Sequence, residues 1–147
     1  MKLAIEYSDY KMNFSNTIKF FVVFNDSFSR LLYHQYLVKL GFKNNILIEN
    51  AEDCLKKLDL EPDVIFMDCG MTPMSGLEAL KIIKDTYPHI HVLLYECPNK
   101  KELMKEAMDH GAAAIIAKGD QDLEMLRLAV EKIVAGKMVN LHAELVQ

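Results

Sequence analysis

The sequence predicts a doubly wound α/β domain built on a five-stranded parallel sheet, and three observations indicate this class. From about Ile18 onward, short apolar runs alternate with longer segments whose apolar residues recur at helical spacing. Most of the short runs are apolar throughout, which is typical of parallel strands covered on both faces. The chain has 147 residues, 51% of them hydrophobic, which is enough for one domain with a sizeable core.

The predicted elements form five strand-then-helix units. The predicted strands cover residues 18–24, 45–49, 64–67, 90–95 and 113–117. The predicted helices cover residues 27–40, 51–58, 75–86, 100–110 and 120–134. Gly41 and Gly111 follow the first and fourth helices, where a left-handed terminal residue is favoured, and Pro88 lies just beyond the third. Right-handed crossovers between such units place helices on both faces of the sheet.

The ends of the chain do not fit this repeating pattern. Residues 1–17 are interpreted as an N-terminal extension, 18–136 as the α/β domain and 137–147 as a C-terminal tail. The net charge is −4 and the basic residues are scattered, which disfavours direct binding of nucleic acid by this segment. No stretch approaches the length of a transmembrane helix, so we expect a cytoplasmic protein without a membrane partner.

The three cysteines are Cys54, Cys69 and Cys97. Their number is odd and their spacing matches no metal-binding or redox motif. This pattern favours reduced thiols in a cytosolic protein over a framework of disulfides. We therefore expect all three to serve as small core hydrophobes.

Polar residues follow four of the five predicted strands, at the edge of the sheet where ligands bind in open parallel sheets. These residues are Asn25, Asp26, Asp68, Glu96 and Lys118. A structural alternative exists for most of them: Asp26 or Ser27 can cap the following helix, and Glu96 and Lys118 can be solvated side chains. Asp68 has no such duty, because Thr72 or Ser75 is better placed to cap the next helix.

The chemistry of this edge depends on its charges. Two carboxylates that face each other raise one another's pKa unless a cation lies between them, so Asp26 and Asp68 imply a metal ion or a lysine. Mg²⁺ is typically held by one or two carboxylates together with waters and phosphate oxygens. A carboxylate nucleophile, Mg²⁺ and Lys118 together would make a phosphoryl-transfer site.

Three segments resemble the receiver domain of bacterial response regulators, a CheY-like fold with strand order 2-1-3-4-5. They are residues 22–26, 64–76 and 110–118, within a resemblance that covers about 18–136. The resemblance implies that Asp68 is the phosphoacceptor and that Asp26, Asp68 and the backbone carbonyl of Gly70 bind Mg²⁺. It also implies that Lys118 binds the phosphoryl oxygens. Residues 128–137 resemble the end of receivers that precede a helix-turn-helix output domain, as in NarL/LuxR-type regulators.

The sequence departs from the receiver pattern at three positions of the site. Asn25 replaces the first of two acids, so it is expected to bind Mg²⁺ weakly or through water. Glu96 stands where the family keeps a threonine or serine that hydrogen-bonds the phosphoryl group, and its carboxylate would repel that group. Ile115 replaces the aromatic residue that usually reports the movement of that hydroxyl. We therefore expect an atypical switch, with Glu96 paired to Lys118 in the resting state.

Three functions remain open from the sequence. The first is a signalling receiver, not an enzyme in its own right, that is phosphorylated by a histidine kinase or a phosphotransfer protein. The second is a pseudo-receiver that binds partners without phosphorylation. The third is a flavin-binding protein of the flavodoxin fold, although the turn at 25–30 lacks the hydroxyl-rich phosphate loop. A homodimer would use the face of the fourth helix, fifth strand and fifth helix, whose charged residues would include Lys105, Asp109, Asp122 and Arg127.

Overall fold

The structure, a computed structural model, describes residues 14–97 and 101–146. Its sheet has the strands β1 (Lys19–Val23), β2 (Asn44–Ile48), β3 (Val64–Asp68), β4 (His91–Tyr95) and β5 (Ala114–Ile116). The strands lie in the order β2-β1-β3-β4-β5, and all neighbouring pairs are parallel. The predicted fold class and the strand order implied by the receiver resemblance are both confirmed.

The helices alternate with the strands along the chain. They are α1 (Ser27–Lys39), α2 (Ala51–Lys56), α3 (Gly76–Thr86), α4 (Lys101–Asp109) and α5 (Asp122–Leu145), with a 3₁₀ turn at Leu58–Leu60. Residue 100, the predicted start of the fourth helix, lies outside the described residues. Gly41 and Gly111 have φ values of +98° and +95°, so both predicted helix ends carry the left-handed residue that glycine adopts at low cost.

The last helix is longer than the sequence pattern predicted. The prediction ended it at residue 134 and assigned 137–147 to a tail, but α5 continues through Gly136 to Leu145. Glycine lowers helix stability by only about 1 kcal/mol relative to alanine, which the rest of a long helix can offset. Met138 packs against the core, and Lys137 Nζ lies 3.2 Å from Asp63 Oδ1, so contacts beyond Gly136 also hold the helix.

Two apolar layers cover the two faces of the sheet. One layer lies between the sheet and α1 and α5, and it includes Phe20, Val22, Phe66, Tyr33, Leu37, Leu126 and Val130. The other lies between the sheet and α2, α3 and α4, and it includes Phe21, Val23, Ile65, Met67, Cys54, Leu80, Ile83 and Ala107. Successive strand residues enter opposite layers because side chains alternate across a strand. The apolar runs in the sequence are therefore explained by burial on both faces.

The described part of the N-terminal extension contacts the domain. Residues 14–17 form a helical turn, in which Phe14 packs against the layer under α1 and α5 and Ser15 is buried. Residues 1–13 of the predicted extension lie outside the described residues. Across the described ranges, no helix combines the length and the apolar character needed to cross a membrane.

Candidate functional site

The carboxyl ends of β1, β3, β4 and β5 bring the predicted site residues to one edge of the sheet. The backbone N–H of Thr72, in the loop after β3, donates to Asn25 Oδ1 over 3.2 Å, which joins that loop to the end of β1. The N–H of Glu96 donates to the carbonyl of Ile116 over 2.9 Å, which joins the ends of β4 and β5. The residues that follow four separate strands therefore form one surface.

Asp68 is the last residue of β3 and is half-buried. Its Oδ1 accepts a hydrogen bond from the N–H of Gly70 at 3.3 Å. Burial raises the pKa of Asp68, and the nearby carboxylates of Glu96 and Asp26 raise it further, while the Gly70 hydrogen bond opposes this. The ionised carboxylate is thus short of positive charge, as expected for a site that binds a cation.

Asp68 is also free of the capping role, as the sequence indicated. Ser75 caps α3 by accepting a hydrogen bond from the N–H of Glu78 at 3.1 Å. The first residue of α3, Gly76, approaches β3 so closely that an added Cβ would overlap the backbone carbonyl of Asp68. The start of α3 is therefore packed directly against the residue that carries the candidate nucleophile.

Asp26 has the structural role that its position allowed. It is the N-cap of α1, and its Oδ2 accepts a hydrogen bond from the N–H of Ser29 at 2.8 Å. Hydrogen bonds from Ser29 lower the pKa of Asp26, which favours the ionised form. The capping alternative is confirmed, and it holds an exposed negative charge beside Asp68.

Asn25 connects three segments of this edge. Its Nδ2 donates to the carbonyl of Glu49 over 2.9 Å, while its Oδ1 accepts the hydrogen bond from Thr72. An aspartate at this position could not donate to the Glu49 carbonyl, because a carboxylate only accepts hydrogen bonds. The structure thus gives a physical reason for an amide here.

Glu96 and Lys118 form the ion pair that the sequence analysis predicted. Lys118 Nζ lies 3.8 Å from Glu96 Oε1, and the two side chains are 69% and 49% exposed. Such an exposed pair contributes no more than about 1 kcal/mol. Glu96 has a φ of +56°, a left-handed conformation that is uncommon for a residue other than glycine. Ile115 is half-buried and packs against the layer beneath α2, α3 and α4.

Cys69 and Cys97 correct the expectation of reduced thiols. Their sulfur atoms form a disulfide, with the Cα atoms 5.0 Å apart. The sheet brings the two cysteines near each other, because Asp68 on β3 is in register with Tyr95 on β4, and Cys69 and Cys97 lie one and two residues beyond these partners. Cys54 is a free buried thiol, as expected for a core hydrophobe, and burial raises its pKa to about 12.

One cluster near this edge was not predicted from the sequence. The hydroxyl groups of Tyr33 and Tyr95 both donate to Asp122 Oδ2, over 3.2 and 3.1 Å. Burial is the first cause of the raised pKa values of both tyrosines. Tyr95 could have indicated this cluster from the sequence, because it ends β4 and the alternation of side chains along a strand places it on the face covered by α1 and α5.

The charges proposed for a dimer face have partners within the chain. Asp122 is turned toward the two tyrosines instead of presenting a free charge. Lys105 pairs with Asp109 at 2.7 Å, and Arg127 pairs with Glu124 and Glu131. The dimer stays a prediction, since these contacts test only the charges and not the assembly.

The residues at this edge suit a hard divalent cation. Asp26 and Asp68 supply carboxylate oxygens, and the exposed Gly70 follows Asp68 by two positions. Burial and the neighbouring carboxylates of Glu96 and Asp26 raise the pKa of Asp68, and a bound cation would oppose both effects. Among residues 14–97 and 101–146, no group of three or more histidine, cysteine or acidic side chains is arranged to hold a metal ion. Mg²⁺ needs only one or two carboxylates and keeps several waters.

Comparison with known proteins identifies a family model that matches most of this chain. The model of the response regulator receiver domain matches residues 20–131. Among curated proteins, the chain is 31% identical over 91 residues to the transcriptional regulatory protein LnrK of Bacillus subtilis (strain 168), a match that covers 61% of this chain and 41% of LnrK. It is 34% identical over 88 residues to the response regulator GacA of Pseudomonas aeruginosa, which covers 59% of this chain and 41% of GacA.

Solved structures share the fold. The chemotaxis protein CheY4 of Vibrio cholerae has a TM-score of 0.70 at 21% identity, covering 79% of this chain and 98% of its own. A LuxR-family response regulator of Aurantimonas sp. SI85-9A1 has a TM-score of 0.73 at 20% identity, covering 82% of this chain and 86% of its own. The family match disfavours the flavin-binding alternative. The chain spans less than half the length of LnrK and GacA.

Proposed function

This chain belongs to the response regulator receiver family, and from that premise we propose that it accepts a phosphoryl group on Asp68 in the cytoplasm. The donor would be a histidine kinase or a phosphotransfer protein. A carboxylate oxygen of Asp68 forms a bond to phosphorus as the bond between phosphorus and the donor's imidazole nitrogen breaks. The imidazole leaves with the electron pair of that bond and takes up a proton.

The observation that carries this proposal is the electrostatic environment of the Asp68 carboxylate. Its carboxylate is half-buried, has no capping role and lies among like charges that raise its pKa. A carboxylate kept in this way for structural reasons alone would cost stability without compensation. A site that binds a cation and then a phosphoryl group gives the arrangement a chemical purpose.

Mg²⁺ would be held by Asp26, Asp68 and the backbone carbonyl of Gly70, with Asn25 reaching it only through water because its amide is engaged elsewhere. When bound, the ion neutralises the oxygens of the transferred group. Lys118 would leave Glu96 and bind a phosphoryl oxygen. The surface that includes α4, β5 and α5 would then change its interactions, with Glu96 and Ile115 making the readout atypical.

The test is intact-mass measurement after incubation with acetyl phosphate and Mg²⁺. Wild type should gain the mass of one phosphoryl group, and Asp68→Asn should not. Asp85→Asn is a matched control, since it makes the same chemical change at an exposed position near the far end of α3. An unmodified wild type, or a phosphorylated Asp68→Asn, would contradict the assignment.

The pseudo-receiver is the second candidate, and the contact between Glu96 and Lys118 favours it. In this function the lysine is neutralised within the chain, and partner binding needs no phosphoryl group. Beryllofluoride, a phosphoryl mimic, separates the two candidates in one measurement. A change in amide chemical shifts that requires beryllofluoride, Mg²⁺ and Asp68 supports the receiver, whereas an unchanged spectrum supports the pseudo-receiver.

A homodimer through α4, β5 and α5 is proposed as one form of output. Sedimentation velocity with and without beryllofluoride measures it directly. A beryllofluoride-dependent dimer supports this output. A monomer at high protein concentration in both conditions excludes it.

A further inference from the structure

Two cysteines border the candidate phosphoryl site from separate loops. Cys69 directly follows Asp68, and Cys97 directly follows Glu96. Their Cα atoms are 5.0 Å apart, which lies within the range that a disulfide spans without movement of the backbone. The bond therefore links the loop of the candidate nucleophile to the loop of the residue that opposes it.

The two sulfur atoms differ in access. Cys69 is only 4% exposed and belongs to the layer beneath α2, α3 and α4, whereas Cys97 is partly exposed at the rim. Thiol–disulfide exchange requires a line of approach to one sulfur atom. Cys97 is the sulfur that a small thiol can reach, and Cys69 is the buried partner that holds it in place.

Glu96 lies between two constraints. Its backbone N–H donates to the carbonyl oxygen of Ile116, and its C-terminal neighbour Cys97 is joined to Cys69 by the disulfide. A non-glycine residue keeps a left-handed conformation such as its φ of +56° only where the surroundings enforce it. Opening the disulfide between Cys69 and Cys97 leaves only the hydrogen bond to Ile116. The backbone at Glu96 and Cys97 can then relax and move the Glu96 carboxylate away from Asp68.

We propose that Cys69 and Cys97 form a reversible redox modification site that sets how readily Asp68 is phosphorylated. On oxidation, each thiol loses a proton and together they give up two electrons to a low-molecular-weight disulfide. The bond between the two sulfur atoms forms while the oxidant's own disulfide bond breaks, and the oxidant leaves as two thiols. Within a reducing cytoplasm, disulfides are usually transient and redox-sensing.

The effect on phosphorylation rests on the proposed function, but the modification itself does not. In the oxidised form, Glu96 is held beside Asp68 and Lys118, so it repels an incoming phosphoryl group and occupies the lysine. In the reduced form, both restraints are relieved. Cys54 takes no part, since it is fully buried and has no disulfide partner.

The first experiment measures the thiols alone. The full chain is equilibrated with mixtures of glutathione and glutathione disulfide, then denatured, alkylated and weighed by mass spectrometry. The oxidised protein should carry one alkyl group, on Cys54, and the reduced protein three. Cys97→Ser should carry two alkyl groups in every mixture, on Cys54 and Cys69, and its mass should show no attached glutathione. Three alkyl groups on wild type even in glutathione disulfide alone would overturn the proposal.

The second experiment measures the consequence for the site. Reduction should speed amide hydrogen exchange at Glu96 and raise the rate of phosphorylation by acetyl phosphate by up to about fivefold, the factor that corresponds to releasing a surface ion pair. Cys97→Ser should match the reduced wild type in both buffers, and Cys54→Ala should respond to redox state as wild type does.

The outcomes separate the two proposals. Equal hydrogen exchange in the oxidised and reduced proteins would overturn the regulatory role, because the disulfide would then not restrain Glu96. Redox-dependent exchange with equal phosphorylation rates would also overturn it. If neither form is phosphorylated, the proposed function fails, and the control of phosphorylation fails with it. The thiol measurements would still establish the modification.

Discussion

Replacing Glu96 with threonine tests whether this residue restrains the site. The substitution removes the carboxylate that pairs with Lys118 and installs the hydroxyl that receivers usually carry there. Lys118 should become available to the phosphoryl oxygens, and one like charge beside Asp68 disappears. Phosphorylation of Asp68 should therefore be faster in Glu96→Thr than in wild type.

The geometry of the ion pair sets the size of this effect. Unit charges 3.8 Å apart attract by about 1 kcal/mol in water, and the water value applies because both side chains are largely exposed. Exposed pairs of this kind contribute no more than about 1 kcal/mol. If the pair must break before Lys118 can act, its loss corresponds to a rate increase of up to about fivefold.

The assay follows intact mass over time with acetyl phosphate and saturating Mg²⁺, with the disulfide kept oxidised in both proteins so that Glu96 stays beside Lys118. Glu144→Thr is the control, because it makes the same change of charge near the exposed end of α5. Equal rates in wild type and Glu96→Thr, or a slower variant, would refute the restraining role of Glu96. Acceleration in Glu144→Thr would attribute the effect to net charge alone.

Three further predictions concern stability. Gly76→Ala should lower the free energy of unfolding by about 1–3 kcal/mol, because the added Cβ overlaps the Asp68 carbonyl. Gly136→Ala lies at an open helical position and should raise the free energy of unfolding by about 0.5–1 kcal/mol. Urea titrations in which both variants change stability in the same direction would contradict this. Burial and nearby carboxylates raise the pKa of Asp68 above its ordinary value of 3.8. The folded protein therefore holds this proton more tightly than the unfolded chain does, and it loses stability as the pH rises from 3.8 through the folded-state pKa. Asp68→Asn should then be more stable than wild type at neutral pH, and urea midpoints should show this gain shrinking in acid; a gain independent of pH would exclude this cause. Tyr33→Phe removes one of two hydroxyl donors to Asp122 and should cost about 1 kcal/mol; an unchanged thermal midpoint would show that the hydrogen bond contributes nothing.

The sheet and its functional edge were predictable because both depend on local pattern. Apolar runs identify strands that are buried on both faces, and the first polar residue after each run marks the carboxyl edge. Asp68 and Lys118 were found in this way. The role of Asp26 as a helix cap was also predictable, because capping depends on residues within one turn.

The rest required knowledge of which strand ends are neighbours. The disulfide joins residues 28 positions apart and depends on the pairing of β3 with β4, whose register short apolar runs do not determine. The hydrogen bonds of Tyr33 and Tyr95 to Asp122 likewise depend on three separate elements. The predicted end of α5 was too early because of Gly136, since a single glycine near the end of a helical pattern is typical of a helix C-terminus.

The length of α5 gives this small domain mechanical reach. The buried residues of the helix lie within its first 13 positions, between Asp122 and Val134, while the following residues up to Leu145 make fewer contacts with the core. At 1.5 Å per residue, the 24-residue helix is about 36 Å long. A tilt of roughly 5° about Met138, which packs against the core, would move Leu145 by about 1 Å, treating the seven residues that follow Met138 as a rigid rod about 10 Å long. A change in the direction of α5 is therefore larger at the exposed end of the helix than along the part that covers the sheet.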